Sequence, residues 1–114
     1  MKYHNVKKNV DGHVFASIAE AKRYQELILQ EKAGVIHDLR LQPEYELIPR
    51  FNKGKRTFRK TVYIADFEYK EGDETIIEDV KGVKTDVYRL KKKMFEYKYP
   101  ELTIREIKKG RKKK

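Results

Sequence analysis

At 114 residues, with 39% hydrophobic and 40% charged side chains, the chain supports one domain with a modest core and a heavily charged surface. The lack of cysteine excludes disulfides and thiolate zinc sites, and no apolar run reaches membrane-spanning length or forms a signal-peptide core. The expectation is a soluble, cytoplasmic protein. Its net charge of +10 points to a polyanionic partner, nucleic acid ahead of an anionic membrane surface.

Along the chain, NVDGHVF carries Asp11-Gly12, the residues of a tight type I′ hairpin turn. SIAEAKRYQELILQEKAG follows as a helix, with Ser17 as N-cap, Gly34 as C-terminal stop, and Ala21, Tyr24, Leu27 and Ile28 as its buried face. LRLQPEYELI, residues 39–48, alternates apolar and polar like a strand with one wet face, and Pro43 suggests a sheet edge. PRFNKGKR reads as a basic loop with an Asn-Lys-Gly turn. TFRKTVYIADFEY, residues 57–69, reads as one strand whose centre is apolar on both parities and therefore covered on both faces. After the KEGDE turn, TIIEDVKG is a third strand of a meander.

DVYRLKKKMFEYKY, residues 86–99, predicts a second helix with Val87, Leu90, Met94 and Tyr97 as its apolar stripe. ELTIREI is a short last strand. The whole is an α/β fold, two helices around a mixed sheet of about four strands, over residues 1–107. A basic tail, KKGRKKK, occupies 108–114 and carries six of the positive charges.

The residues that invite chemistry are acids inside apolar strands. Alternation along IIEDVKG puts Asp79 and Lys81 on one face and Glu78 on the other. Asp66 interrupts the neighbouring strand, so the two aspartates can meet if the strands pair. Buried carboxylates need a cation, a partner or water. Two of them suit Mg²⁺, which leaves its remaining positions to water and phosphate, and a nearby lysine completes a minimal phosphodiesterase set. An ion pair of Lys81 with Asp79 or Asp66 accounts for the same residues equally well. Glu20 is a possible third acid, but S-x-x-E from Ser17 is also a capping box, and both roles stay open. His4, His13 and His37 have no metal-like spacing.

This arrangement resembles the PD-(D/E)XK nuclease superfamily: Glu20 on the first helix, YIAD ending at Asp66, then Asp79-Val80-Lys81. More closely, DGHVFASIAEAKRYQEL, LQPEYEL, YIADFEY, EDVKG and YRLKKKMF resemble phage and prophage nucleases of the Holliday-junction-resolvase-like type. The resemblance implies a restriction-endonuclease-like αβββαβ core. It also implies a Mg²⁺-dependent DNA endonuclease, with Mn²⁺ as substitute, acting on branched or duplex DNA in phage recombination within the host cytoplasm.

It further implies that Asp66, Asp79, the Val80 carbonyl and Glu20 hold the metal and that Lys81 assists the attacking water. Gln42 would have a positioning role. Ala65 stands where the nominal motif has proline. DNA contacts are expected from Lys53, Lys55, Arg56, Arg59, Lys84, Lys91, Lys92 and Lys93, and cutting two strands symmetrically implies a homodimer. Two other classes compete: a non-catalytic nucleic-acid-binding module, and a subunit serving only assembly or targeting.

Overall fold

The computed structural model describes residues 8–108, so the N-terminal seven residues and all of the basic tail beyond Lys108 lie outside the described residues. Strands β1 (Lys8–Val10) and β2 (His13–Phe15) form a hairpin whose turn residues, Asp11 and Gly12, have φ of 53° and 80°. Both values are left-handed, as a type I′ turn requires. Helix α1 (Ile18–Lys32) starts where the Ser17 hydroxyl accepts the Glu20 N–H at 3.1 Å. It buries Ala21, Tyr24 and Leu27, residues that recur every third position along one side.

The central sheet has four strands in the order β10 (Ile104–Lys108), β9 (Glu74–Lys81), β8 (Phe67–Glu71), β3 (His37–Leu41). The β9–β8 and β8–β3 pairs are antiparallel, while β10 returns parallel to β9 after crossing over through α2 (Asp86–Lys98). The helices cover opposite faces. On the α1 side, Phe67, Tyr69 and Ile76 pack with Tyr24 and Leu27. On the other, Ile77 and Ile104 pack with Tyr88 and Phe95 of α2. The molecule is thus a mixed α/β domain, and among the described residues no helix is long and apolar enough to cross a membrane.

The strand expected over 57–69 is in fact three: β6 (Arg56–Phe58), β7 (Thr61–Ile64) and β8. Tyr63 and Ala65 belong to the α2-side cluster, whereas Phe67 and Tyr69 belong to the α1-side cluster. The chain therefore changes faces at Ala65–Asp66, which leaves Ile64 exposed where coverage on both sides was expected. The facing strand breaks at the same level, because β3 gives way to β4 (Glu44–Ile48) at Gln42 and Pro43. Gln42 donates its N–H to the Asp66 carbonyl at 2.9 Å, and Ala65 donates to that of Pro43 at 3.1 Å. Beyond the break, β4 pairs with β7 as a separate two-stranded ribbon.

Two further expectations are corrected. The basic loop at 49–56 is the start of a hairpin, β5 (Phe51–Lys53) with β6, turning at Gly54, whose φ is +62°. The apolar stripe assigned to α2 is also misplaced. Val87, Leu90 and Tyr97 are exposed, Tyr97 by 89%, and only Met94 of the stripe packs on the core; the helix buries Tyr88 and Phe95. Phe95 is surrounded by the rings of Tyr45, Tyr63 and Tyr99, with centroids 5.1–5.5 Å away. That aromatic nest provides more contact area than an aliphatic stripe.

Candidate active site

Strand β9 separates its two adjacent acids as alternation requires. Glu78 is wholly buried on the α1 side, where Arg23 grips it by two bonds, Nε to Oε1 at 2.8 Å and Nη2 to Oε2 at 2.6 Å. Tyr69 also donates its hydroxyl to Glu78. This acid is fully occupied in holding α1 on the sheet. Asp79 faces the other way, buried beneath α2. It accepts the Tyr63 hydroxyl on Oδ2, and Lys81 Nζ lies 3.2 Å from Oδ1. Lys81 in turn sits over the Tyr88 ring, 3.9 Å from its centre, which fixes the ammonium on the Asp79 side.

Asp66 occupies the fork where β7 leaves the sheet. Its N–H still reaches the Glu78 carbonyl at 3.1 Å, which is the last rung of the β8–β9 ladder. The next amide of β9 pointing that way, Val80 N–H, has no strand opposite it and is taken by Asp66 Oδ2 at 2.6 Å. In an extended strand the N–H and C=O of one residue leave by the same edge, so the Val80 carbonyl opens toward the same fork. Gln42 is tied to this point by its backbone bond to Asp66. Glu20 arrives from the first turn of α1, and its carboxyl acts on that of Asp66 by holding the Asp66 proton.

The electrostatics follow from crowding acids in a shielded place. Burial raises the Asp66 carboxyl to about 7, with the neighbouring Glu20 carboxyl adding to the rise and the Val80 N–H opposing it. Burial likewise raises Asp79 to about 6; the Tyr63 hydroxyl and Lys81 pull it down, and the Asp66 charge pushes it up. Burial and the Asp79 charge hold the Tyr63 hydroxyl far above its usual range, so it remains a donor. Two buried carboxyls against one ammonium, with Glu20 acting on one of them, leave a place that favours a proton or a further cation.

The oxygen donors are of the type a hard divalent cation takes: two aspartates, a backbone carbonyl and Glu20 at the margin. No three His, Cys, Asp or Glu side chains among the described residues converge as a ready-made metal group. A cation here would rest on the aspartate pair and on water, which is the habit of Mg²⁺. The chemistry of the donor set therefore fits.

The expected DNA-contacting residues fall into two groups. Arg56 lies on the β5–β6 hairpin and Arg59 follows it, alongside Lys53 and Lys55. On the other side, Lys84 Nζ is held by Glu106 at 2.8 Å, and Lys92 lies 3.8–3.9 Å from Glu96 and Glu106. Lys91 lines a cleft of about 260 Å³ with Lys81 and Tyr88, while Lys93 is exposed on the flank of α2.

Four residues outside the sequence-based set shape the site: Arg23, Tyr63, Tyr88 and Glu106. Glu106 stands opposite Asp79 in the parallel ladder and accepts the Tyr88 hydroxyl at 2.8 Å. Its parity with Ile104, a core residue, was the available sequence signal.

The family model described as "Protein of unknown function (DUF1064)" matches residues 1–114, the full length of the chain. The chain belongs to the DUF1064 family. No curated protein and no solved structure matches it.

Proposed function

We propose that this DUF1064 protein is a metal-dependent DNA endonuclease, hydrolysing phosphodiester bonds in branched or duplex DNA. One observation carries the reading: at a fork in the sheet, Asp66 Oδ2 takes the N–H of Val80, the residue between Asp79 and Lys81, and Lys81 is paired to Asp79. The chain order α1, β3, β8, β9, α2, β10 around the mixed sheet supports it, being the αβββαβ order of the PD-(D/E)XK core.

In this reading Asp66, Asp79, the Val80 carbonyl and Glu20 hold Mg²⁺ or Mn²⁺. A bound divalent cation supplies charge to polarise the scissile phosphoryl group and to make water acidic. The chain's own residues do the rest. Tyr63 keeps one Asp79 oxygen turned in a fixed direction by donating to it. Lys81 presents an ammonium beside that carboxylate, positioned to orient the attacking water and to offset negative charge growing on the phosphate. Symmetrical cutting of both strands calls for two copies related by a two-fold axis.

A non-catalytic DNA-binding module is the second reading. It is favoured by the Lys81–Asp79 pair and the Val80–Asp66 bond, which satisfy both aspartates without a metal. Labelled four-way junction and linear duplex, incubated with Mg²⁺, Mn²⁺ or EDTA, separate the two. Cleavage with either metal, none in EDTA, and loss of cleavage but not binding in Asp79→Asn is the expected result. Binding without cleavage under every condition decides for the module.

A further inference from the structure

Beyond the DNA contacts expected of its cations, the β5–β6 hairpin takes no part in the site described above. From Arg50 to Lys60 it carries six cations and no acid. Lys60 lies 3.8 Å from Glu44, but among the described residues no acid forms an ion pair with Arg50, Lys53, Lys55, Arg56 or Arg59. Its strands pair only with each other.

The ribbon has two unlike faces. Asn52 opposes Thr57, and the Thr57 hydroxyl donates to Asn52 Oδ1 at 2.8 Å, a polar pair closing one face. The other face presents Phe51 opposite Phe58 and Lys53 opposite Arg56. The two phenyl rings are nearly parallel, 13° apart with centroids 4.8 Å apart, and Arg56 lies 5.1 Å from the centre of Phe58. The aromatic pair stabilises the hairpin, as facing aromatics do. That role needs only one face of each ring, and Phe51 still leaves 45% of its surface in water.

We propose that Phe51 is a stacking platform for an unpaired DNA base, with Lys53, Lys55 and Arg56 holding the flanking phosphates. Aromatic side chains interleaved with cations bind single-stranded segments this way, because every base offers a π face and every linkage a charge. A continuous duplex keeps its bases stacked on each other and offers this face only phosphates. The ribbon thus selects DNA with unstacked bases, such as a bulge, flap or junction. This rests on the reading of the chain as one that acts on DNA, and it names the structural class of that DNA.

The test uses the full chain in EDTA, so that binding is read apart from chemistry. Two duplexes carry 2-aminopurine at the same position, once as a single bulged base and once fully paired. Tighter binding to the bulged duplex, with quenching of the bulged 2-aminopurine on binding, is the expected result. Phe51→Ala and Phe51→Val, the second retaining a β-branched partner for Phe58, lose at least about fivefold in affinity for the bulged duplex. Phe51→Tyr keeps the affinity, and the paired duplex is bound equally by all.

Equal wild-type affinity for both duplexes without quenching overturns the proposal, as does an equal loss on both duplexes in Phe51→Val. A parallel arm with Mg²⁺ reads cleavage. Cleavage persisting when Phe51 proves irrelevant leaves the nuclease reading standing and removes only the stacking role. Selective, Phe51-dependent binding without cleavage does the reverse.

Discussion

Arg23 and Glu78 form a two-bond clamp between α1 and the middle of the sheet, with the carboxylate wholly buried and the arginine side chain only 19% exposed. A buried charge is tolerated only while its partner is present. Arg23→Met strands the Glu78 carboxylate and costs about 3–5 kcal/mol in chemical denaturation, on the scale of other broken buried pairs. The double variant Arg23→Met, Glu78→Leu recovers most of that loss. A double variant as unstable as the single one would show that the clamp's geometry, and not the charge, is what the fold requires.

Asp66 and Asp79 make stability depend on pH in an unusual direction. Their folded values, about 7 and about 6, lie above the ordinary 3.8. The folded state then binds more protons than the unfolded state between those limits, so stability falls as pH rises. Their contribution is fully present below about pH 4 and lost as pH passes 6 to 7. The melting temperature in EDTA is therefore expected to drop between pH 5 and pH 8, and Asp66→Asn to flatten that drop. A flat wild-type profile over this window would contradict the burial of the pair.

Tyr63 acts through Asp79. Its hydroxyl favours the carboxylate form, so Tyr63→Phe is expected to raise the Asp79 pKa further. If the chain cleaves DNA as proposed, the acid limb of its cleavage–pH profile then moves to higher pH, while the plateau at high pH is largely retained. A uniform loss across the profile with no displacement would mean that Tyr63 serves only packing.

Lys81→Met keeps the aliphatic stem over Tyr88 and removes the charge beside Asp79. If the ammonium stabilises charge developing on the phosphate, kcat falls by roughly 10²-fold or more with little change in KM. A raised KM at unchanged kcat would instead make Lys81 a ground-state phosphate contact.

The sequence-based stripe of α2 is tested by stability alone. Phe95→Ala is expected to cost about 3–5 kcal/mol, because it empties the nest among Tyr45, Tyr63 and Tyr99. Leu90→Ser, on the exposed face, should stay within about 0.5 kcal/mol of the parent chain. The opposite ranking in urea melts would restore the original stripe.

These residues also show what the sequence makes legible. Alternation along 76–81 separates Glu78 from Asp79 without ambiguity, since one unbroken strand keeps its parity. Ser17 and Asp11-Gly12 are equally readable, because capping and turn formation are local. The apolar stripe of helix α2 is legible only at Met94, because hydropathy ranks Val and Leu above Tyr, while burial there follows ring area and the polar partners open to Tyr88.

The face change at Ala65–Asp66 was hidden for a different reason. Neither residue is a glycine or proline, and the break is imposed by Gln42 and Pro43 on the strand opposite. The acid at the centre of the site is thus placed by a tertiary contact.

That change of faces makes chain length, more than residue identity, the quantity on which this region depends. From Tyr63 to Phe67 the chain must pass from one layer of the molecule to the other, with Asp66 at the crossing. Removing or adding one residue there would turn either the Tyr63 ring or the Phe67 ring into water and carry the carboxylate out of the fork. Insertions that the Gly54 turn could absorb as extra length would here dismantle both cores and the site together. Packing register and chemistry are, at this seam, a single constraint.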